Sequence, residues 1–163
     1  MILDPERLGD YIDPLYRAAW ALCGSRHDAE DLVQETFLNV LKRPRLLRDG
    51  NELGYLLRAL RNTYSSRYRA AMRRPHERQL FEDDDPDVPA TEETISAREL
   101  MEAVASAPPH YRDAVIAVDL VGLSYREAAH ALHTREQTIT TRLHRGRQHV
   151  ARALTEAAAT AAC

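Results

Sequence analysis

Apolar residues recur along this chain at three- and four-residue intervals, and nowhere do they alternate in the two-residue rhythm of a half-buried strand. The first series, Leu8 to Leu22, predicts one helix, bent or restarted at Pro14 and stopped by Gly24. The second runs from Asp28 to Lys42, with Asp28, Glu30 and Asp31 at its positive N-terminal end and Lys42 and Arg43 at the other. Pro44 and Gly50 bracket a loop, and a long third helix is predicted from about Asn51 to Met72, ending at Arg73-Arg74 before Pro75. After a gap the helical rhythm returns in Ile95 to Ala105 and in Pro109 to Leu120, with Gly122 as the stop. Two capping patterns follow. Ser124 with Glu127 opens a helix to Leu132, and Thr134 with Gln137 opens one that runs to about Leu154, leaving an Ala-rich tail at 157–162 to fray. Helices joined by so short a turn make a helix-turn-helix.

The gap, Gln79 to Thr94, holds two prolines and a run of acids without periodicity, which reads as an extended linker or an exposed acidic loop. The expected fold is all-α: two small helical domains (1–78 and 95–163) joined by an acidic linker (79–94), the second containing the helix-turn-helix. A length of 163 residues suits one core or two small ones and excludes a large enzyme. No apolar run approaches the roughly 18–20 residues of a membrane span, so no membrane insertion is expected. The opening MILDPERLGD lacks the basic end and apolar core of a secretory signal. Cys23 and Cys163 form neither a disulfide framework nor a zinc motif, and Cys23 reads as a small core residue. The expected location is the reducing cytoplasm.

The net charge of −3 argues at first against a nucleic-acid partner, but its distribution reverses that reading. Residues 1–80 carry 14 Lys and Arg against 11 acids, residues 81–100 one Arg against eight, and residues 101–163 seven Arg against six. The acid is concentrated in the linker, and both flanking blocks are mildly basic.

Each block then shows a face with its own chemistry. On the last helix Ile139, Leu143, Gly146, Val150 and Leu154 form one narrow stripe. Opposite lie Thr138, Thr141, Arg145, Gln148, His149 and Arg152, with Arg142 on the flank and no acid among them. Hydroxyls and amides suit base edges in a major groove, and Arg suits guanine or phosphate; a solvated surface, which usually mixes both signs, is the competing reading. On the third helix Leu53, Leu56, Leu57, Leu60, Tyr64 and Ala71 form the expected buried stripe. Tyr55, Arg58, Asn62, Ser65, Ser66, Arg69 and Arg73 face the other way, a set fit for single-stranded or partly melted DNA. The helix from Asp28 differs. Ala29, Leu32, Val33, Thr36, Phe37 and Val40 must be core, while Asp28, Asp31, Gln34, Glu35 and an exposed Leu38 lie on the other side, an acidic face that would repel DNA. They suit a protein partner with a basic surface, or simply a solvated face.

No catalytic arrangement emerges. His130 and His133 with His144 or Asp119 would make only a hypothetical zinc site, and no cofactor or resident metal is expected. Neither a Gly-rich phosphate loop nor a Ser-His-Asp set is present, so the chain does not read as an enzyme.

Three segments then resemble one family in order. DAEDLVQETFLNVL (Asp28 to Leu41) resembles the core-polymerase-binding helix of bacterial sigma factors. GYLLRALRNTYSSRYR (Gly54 to Arg69) resembles the helix that opens the minus-ten element, and GLSYREAAHALHTREQTITTRLHRGR (Gly122 to Arg147) resembles the minus-thirty-five helix-turn-helix. The whole is similar to a group IV, extracytoplasmic-function sigma factor of the minimal two-domain kind. The resemblance implies that Asp28, Asp31, Gln34, Glu35 and Leu38 dock core RNA polymerase at the clamp helices of its largest subunit. It implies minus-ten contacts from Tyr55, Arg58, Arg61, Asn62, Ser66, Arg69 and Arg73, with the loop Pro44 to Gly50 capturing a flipped base. Minus-thirty-five contacts fall to Arg135, Thr138, Thr141, Arg142, Arg145 and His149. The acidic linker matches a segment that threads the RNA exit path, and an anti-sigma factor is an implied partner. The chain departs from the family pattern in having Tyr55 for Trp, Ser66 for Asp, His133 for a turn Gly, Thr140 for Lys, and no aromatics at 44–50. A stand-alone helix-turn-helix regulator and a protein that titrates an anti-sigma factor are the alternative functions.

Overall fold

The computed structural model describes residues 2–47, 50–73 and 96–163. The fold is all-α, and the described residues contain no strand, only a single antiparallel bridge between Ile2 and Leu46. The chain divides into two compact units, Met1–Asp84 and Asp85–Cys163. The linker expected at 79–94 lies outside the described residues, as do Arg48, Asp49, Arg74 and Ile95.

The first unit opens with a 3-10 helix, Pro5–Tyr11, followed by α1 (Ile12–Cys23), α2 (Arg26–Lys42) and α3 (Glu52–Arg73). The single helix expected from Leu8 is thus two, and the restart falls two residues before Pro14. Pro14 sits in the first turn of α1, where its missing N–H would have had no helical partner. Gly24, at φ 73°, closes α1 by donating its N–H to the Trp20 carbonyl at 2.7 Å. The next residue, Ser25, accepts from the Asp28 N–H, so α2 starts at Arg26 and not at Asp28.

Helices α1, α2 and α3 pack on one another, and Leu15, Ala18 and Ala19 of α1, Leu32 and Val33 of α2 and Leu56, Leu57 and Leu60 of α3 are buried in the core they enclose. Thr36 is fully buried too, and its hydroxyl donates to the Leu32 carbonyl at 2.7 Å, which removes the penalty of an unmatched polar group. Phe37 and Cys23, expected inside, are half-buried. The α3 stripe continues through a buried Thr63 and fades at a half-buried Tyr64, so that Ala71 is exposed.

Glu52, at the start of α3, is only 4% exposed. Arg7 pairs with it at 3.2 Å and the Tyr11 hydroxyl donates to it, tying the N-terminal segment to α3. Burial and the adjacent carboxylate push the Tyr11 phenol above its ordinary value.

The second unit holds α4 (Ala97–Ala105), α5 (Pro109–Val115) running into a π-helical turn (Ile116–Leu120), α6 (Tyr125–Ala131) and α7 (Glu136–Ala161). Both Ser96 with Glu99 and Ser124 with Glu127 form reciprocal capping boxes. The cap expected at Thr134 is displaced. Thr134 belongs to the closure of α6, donating its N–H to the Ala129 carbonyl at 2.9 Å, and the extended residue before α7 is Arg135, which gives no side-chain cap. At its other end α7 runs seven residues past Leu154, because alanine has the highest helix propensity and the tail is nearly all Ala.

Helix α7 is the spine of this unit. Ile139, Leu143, Gly146 and Val150 are buried against α4, α5 and α6, and Leu154 is half-buried. A Cβ on Gly146 would lie 2.6 Å from Val115 Cγ2 and 2.8 Å from the Tyr111 carbonyl oxygen, so only glycine permits this approach of α5. Arg147 donates twice to Asp119, at 2.7 and 2.9 Å, and that hydrogen bonding holds its guanidinium above the ordinary value.

Candidate functional site

The turn between α6 and α7 comprises Leu132, His133, Thr134 and Arg135. His133 adopts φ 52°, the left-handed conformation usually given to glycine, and donates to the His130 carbonyl while Thr134 donates to Ala129. These two bonds make a Schellman closure that sets the angle at which α7 leaves. Arg135 and Thr141 are exposed at the start of α7, and Thr138 and Arg142 are half-buried beside them. The Thr141 hydroxyl donates to the Gln137 carbonyl at 3.2 Å, leaving its oxygen as an outward acceptor. Thr140 does the same toward Glu136.

Thr138, Thr141, Arg142 and Arg145 converge on a concavity of about 490 Å³, together with Gln137 and, from α5, His110 and Tyr111. Arg145 Nη1 donates to the Tyr111 hydroxyl at 3.0 Å, and its guanidinium carbon is 5.9 Å from the ring centre. His149 lies apart from this group, with Nε2 at 3.1 Å from Oγ of Ser106, the residue that caps the end of α4. The sequence reading passed over His110 and Tyr111, since only the α5–α7 approach brings them to α7. Gly146 inside an apolar stripe was the one signal of that approach.

On α3 the residues Asn62, Ser66, Arg69 and Arg73 are exposed, and Tyr55, Arg58 and Arg61 are half-buried on neighbouring turns. Arg69 Nε donates to the Ser65 carbonyl at 3.3 Å. The rings of Tyr64 and Tyr68 stack at 6.4 Å, with Tyr68 exposed one residue before Arg69; Tyr68 too was missed in the sequence. On α2, Asp28, Asp31 and Gln34 are exposed, and Asp31 is 3.7 Å from His27. Leu38 is 56% exposed and Leu41 44%, an apolar end to an otherwise acidic face. Glu35 turns instead toward α3, where Arg67 pairs with it.

Among the described residues no three His, Cys, Asp or Glu side chains converge on a metal-sized site. No described helix is long and apolar enough to cross a membrane.

Residues 8–74 match the Sigma-70 region 2 family and residues 97–150 match Sigma-70, region 4. The chain belongs to the extracytoplasmic-function (ECF) sigma factors of RNA polymerase. It is 34% identical over 152 residues to the ECF RNA polymerase sigma factor SigE of Mycolicibacterium smegmatis, covering 89% of this chain and 59% of SigE. To EcfG of Rhodopseudomonas palustris it is 32% identical over 143 residues, covering 82% and 76% of the two chains. In fold it is similar to the sigma factor RpoE of Bartonella quintana, solved in complex with the anti-sigma factor NepR, at a TM-score of 0.74 and 23% identity over 92% and 95% of the chains.

Proposed function

We propose that this protein is an alternative sigma factor that recruits core RNA polymerase to specific promoters and helps melt their minus-ten element. In this reading residues 1–78 form the region-two-like domain, 79–94 the linker, and 95–163 the region-four-like domain. Asp28, Asp31, Gln34 and Leu38 dock the clamp helices of the polymerase's largest subunit, with Glu35 held at the edge of that face by Arg67. The α3 face built on Asn62 takes the separated minus-ten strand, Tyr55 and Tyr68 offering stacking surfaces and Arg58, Arg61, Arg69 and Arg73 offering phosphate contacts. Helix α7 enters the major groove of the minus-thirty-five element from its N-terminal turns.

One observation carries the reading: both sigma regions match this chain in order, and the α2 segment in the first bears an acidic, apolar-ended face. A stand-alone helix-turn-helix regulator has no use for that face. An anti-sigma factor is a partner in keeping with the likeness to RpoE, and the site of action is the cytoplasm, where polymerase works. Run-off transcription with core polymerase on a promoter library tests the proposal. Discrete transcripts that depend on this protein are expected. Tight binding to a palindrome as a dimer, without polymerase, would replace it with the regulator.

A further inference from the structure

Arg145 could serve the minus-thirty-five duplex in two ways, by reading a base or by gripping the backbone. Its side chain leans sideways from α7 toward α5, where it donates to the Tyr111 hydroxyl at 3.0 Å and lies by the Tyr111 ring. The Tyr111 backbone is held where α5 meets α7, its carbonyl close against Gly146, which sets where the phenol starts from. The two walls of the concavity therefore differ. Gln137, Thr138 and Thr141 come from the first turns of α7, the part of a recognition helix that meets base edges. His110 and Tyr111 of α5 line the other side, Arg142 and Arg145 of α7 complete the lining, and no lining residue is an acid.

A phenol that accepts from Arg145 keeps its own O–H to donate. Beside it the guanidinium retains N–H groups not used on Tyr111. A phosphate oxygen only accepts, so it matches a wall of donors, whereas a guanine edge asks for a guanidinium extended along the groove. The geometry points to Arg145 and Tyr111 as a clamp on one backbone phosphate of the minus-thirty-five duplex, with Tyr111 the positioning residue that holds the guanidinium on the rim. This assignment rests on the sigma-factor reading above and specifies which contacts position the duplex and which read it.

The test uses holoenzyme reconstituted from the full chain, on promoter duplexes that wild-type holoenzyme selects from a library randomised at minus-thirty-five. Arg145→Ala should weaken binding roughly tenfold or more. It should also reduce the slope of log affinity against log salt by about one, with base preference unchanged at every position. One neutral methylphosphonate in the duplex should weaken wild type and affect Arg145→Ala much less. Tyr111→Phe, which keeps the ring and loses the hydroxyl, should weaken binding less than Arg145→Ala, and in the Arg145→Ala background should cost less than it does alone. A changed base preference in Arg145→Ala with an unaltered salt slope overturns the clamp and assigns Arg145 to a base. Additive losses in the double variant overturn the positioning role of Tyr111. If the wild-type holoenzyme selects no element at all, the sigma-factor reading itself fails, an outcome distinct from the other two.

Discussion

Glu35 of α2 and Arg67 of α3 form an ion pair that joins the helix proposed to dock polymerase to the helix proposed to hold melted DNA. Both side chains are about two-fifths exposed, at 42% and 38%, so the pair is screened and contributes at most about 1 kcal/mol to stability. Because its carboxylate is already engaged, Glu35→Gln should leave co-purification with core polymerase largely intact. Asp31→Arg with Gln34→Ala, on the outward face, should abolish it at unchanged helicity. Pull-down with core polymerase beside circular dichroism checks both, and a double variant that still binds would remove α2 from the docking assignment.

Asn62→Ala should spare closed-complex formation and impair melting. Asn62 is exposed on α3, so its loss should alter folding stability by no more than about 0.5 kcal/mol. Its amide offers two donors and one acceptor, which meet a Watson–Crick edge only after the base has left its pair. The cost should be about 1–3 kcal/mol in the opened state and little in the duplex. Permanganate footprinting on intact and pre-melted templates separates the steps. Rescue by the pre-melted bubble is expected, whereas identical footprints for variant and wild type would make this face mere surface.

Gly146→Ala should destabilise the second unit by about 1–3 kcal/mol, the range for overpacking, since the new Cβ meets the Tyr111 carbonyl oxygen at 2.8 Å. Backbone yields less readily than a side-chain tip. Thermal unfolding measures the loss, and an unchanged midpoint would mean that α5 and α7 do not pack so closely in solution.

His133, at φ 52°, tests the turn of the helix-turn-helix. A left-handed residue costs about 1–2 kcal/mol for ordinary side chains and most for β-branched ones. Unfolding midpoints should therefore fall in the order Gly, His, Val at this position. A His133→Val variant as stable as His133→Gly would show that the turn takes another conformation.

These positions also mark how far the sequence could be read. Ser124 with Glu127 was legible as a helix start because a capping box is local, involving four consecutive residues. Thr134 with Gln137 has the same spelling and failed, because the closure of α6 extends through Thr134 and the helix starts one residue later, which puts Gln137 out of capping-box register. The π-helical turn at Ile116–Leu120 left no mark in the apolar rhythm, which merely ran on to Leu120. Acidic and basic faces were legible from periodicity. That Glu35 turns inward to Arg67, that His149 meets Ser106 and that Tyr111 reaches Arg145 depend on which helices pack together, and periodicity on one helix carries no word of its neighbour.

The buried carboxylate of Glu52 changes where the first unit can be cut. The region 2 match begins at residue 8, yet Leu3 is buried and Arg7 pairs with Glu52 from outside that boundary. A fragment trimmed to the family's edge keeps Tyr11 but loses Arg7 from beside Glu52. Arg7 is about half exposed, at 51%, so the pair is screened and its loss should cost at most about 1 kcal/mol, with the burial of Leu3 lost besides. The packed unit is therefore longer than the homologous one, with the buried side chain of Leu3 lying upstream of the segment that identifies the family.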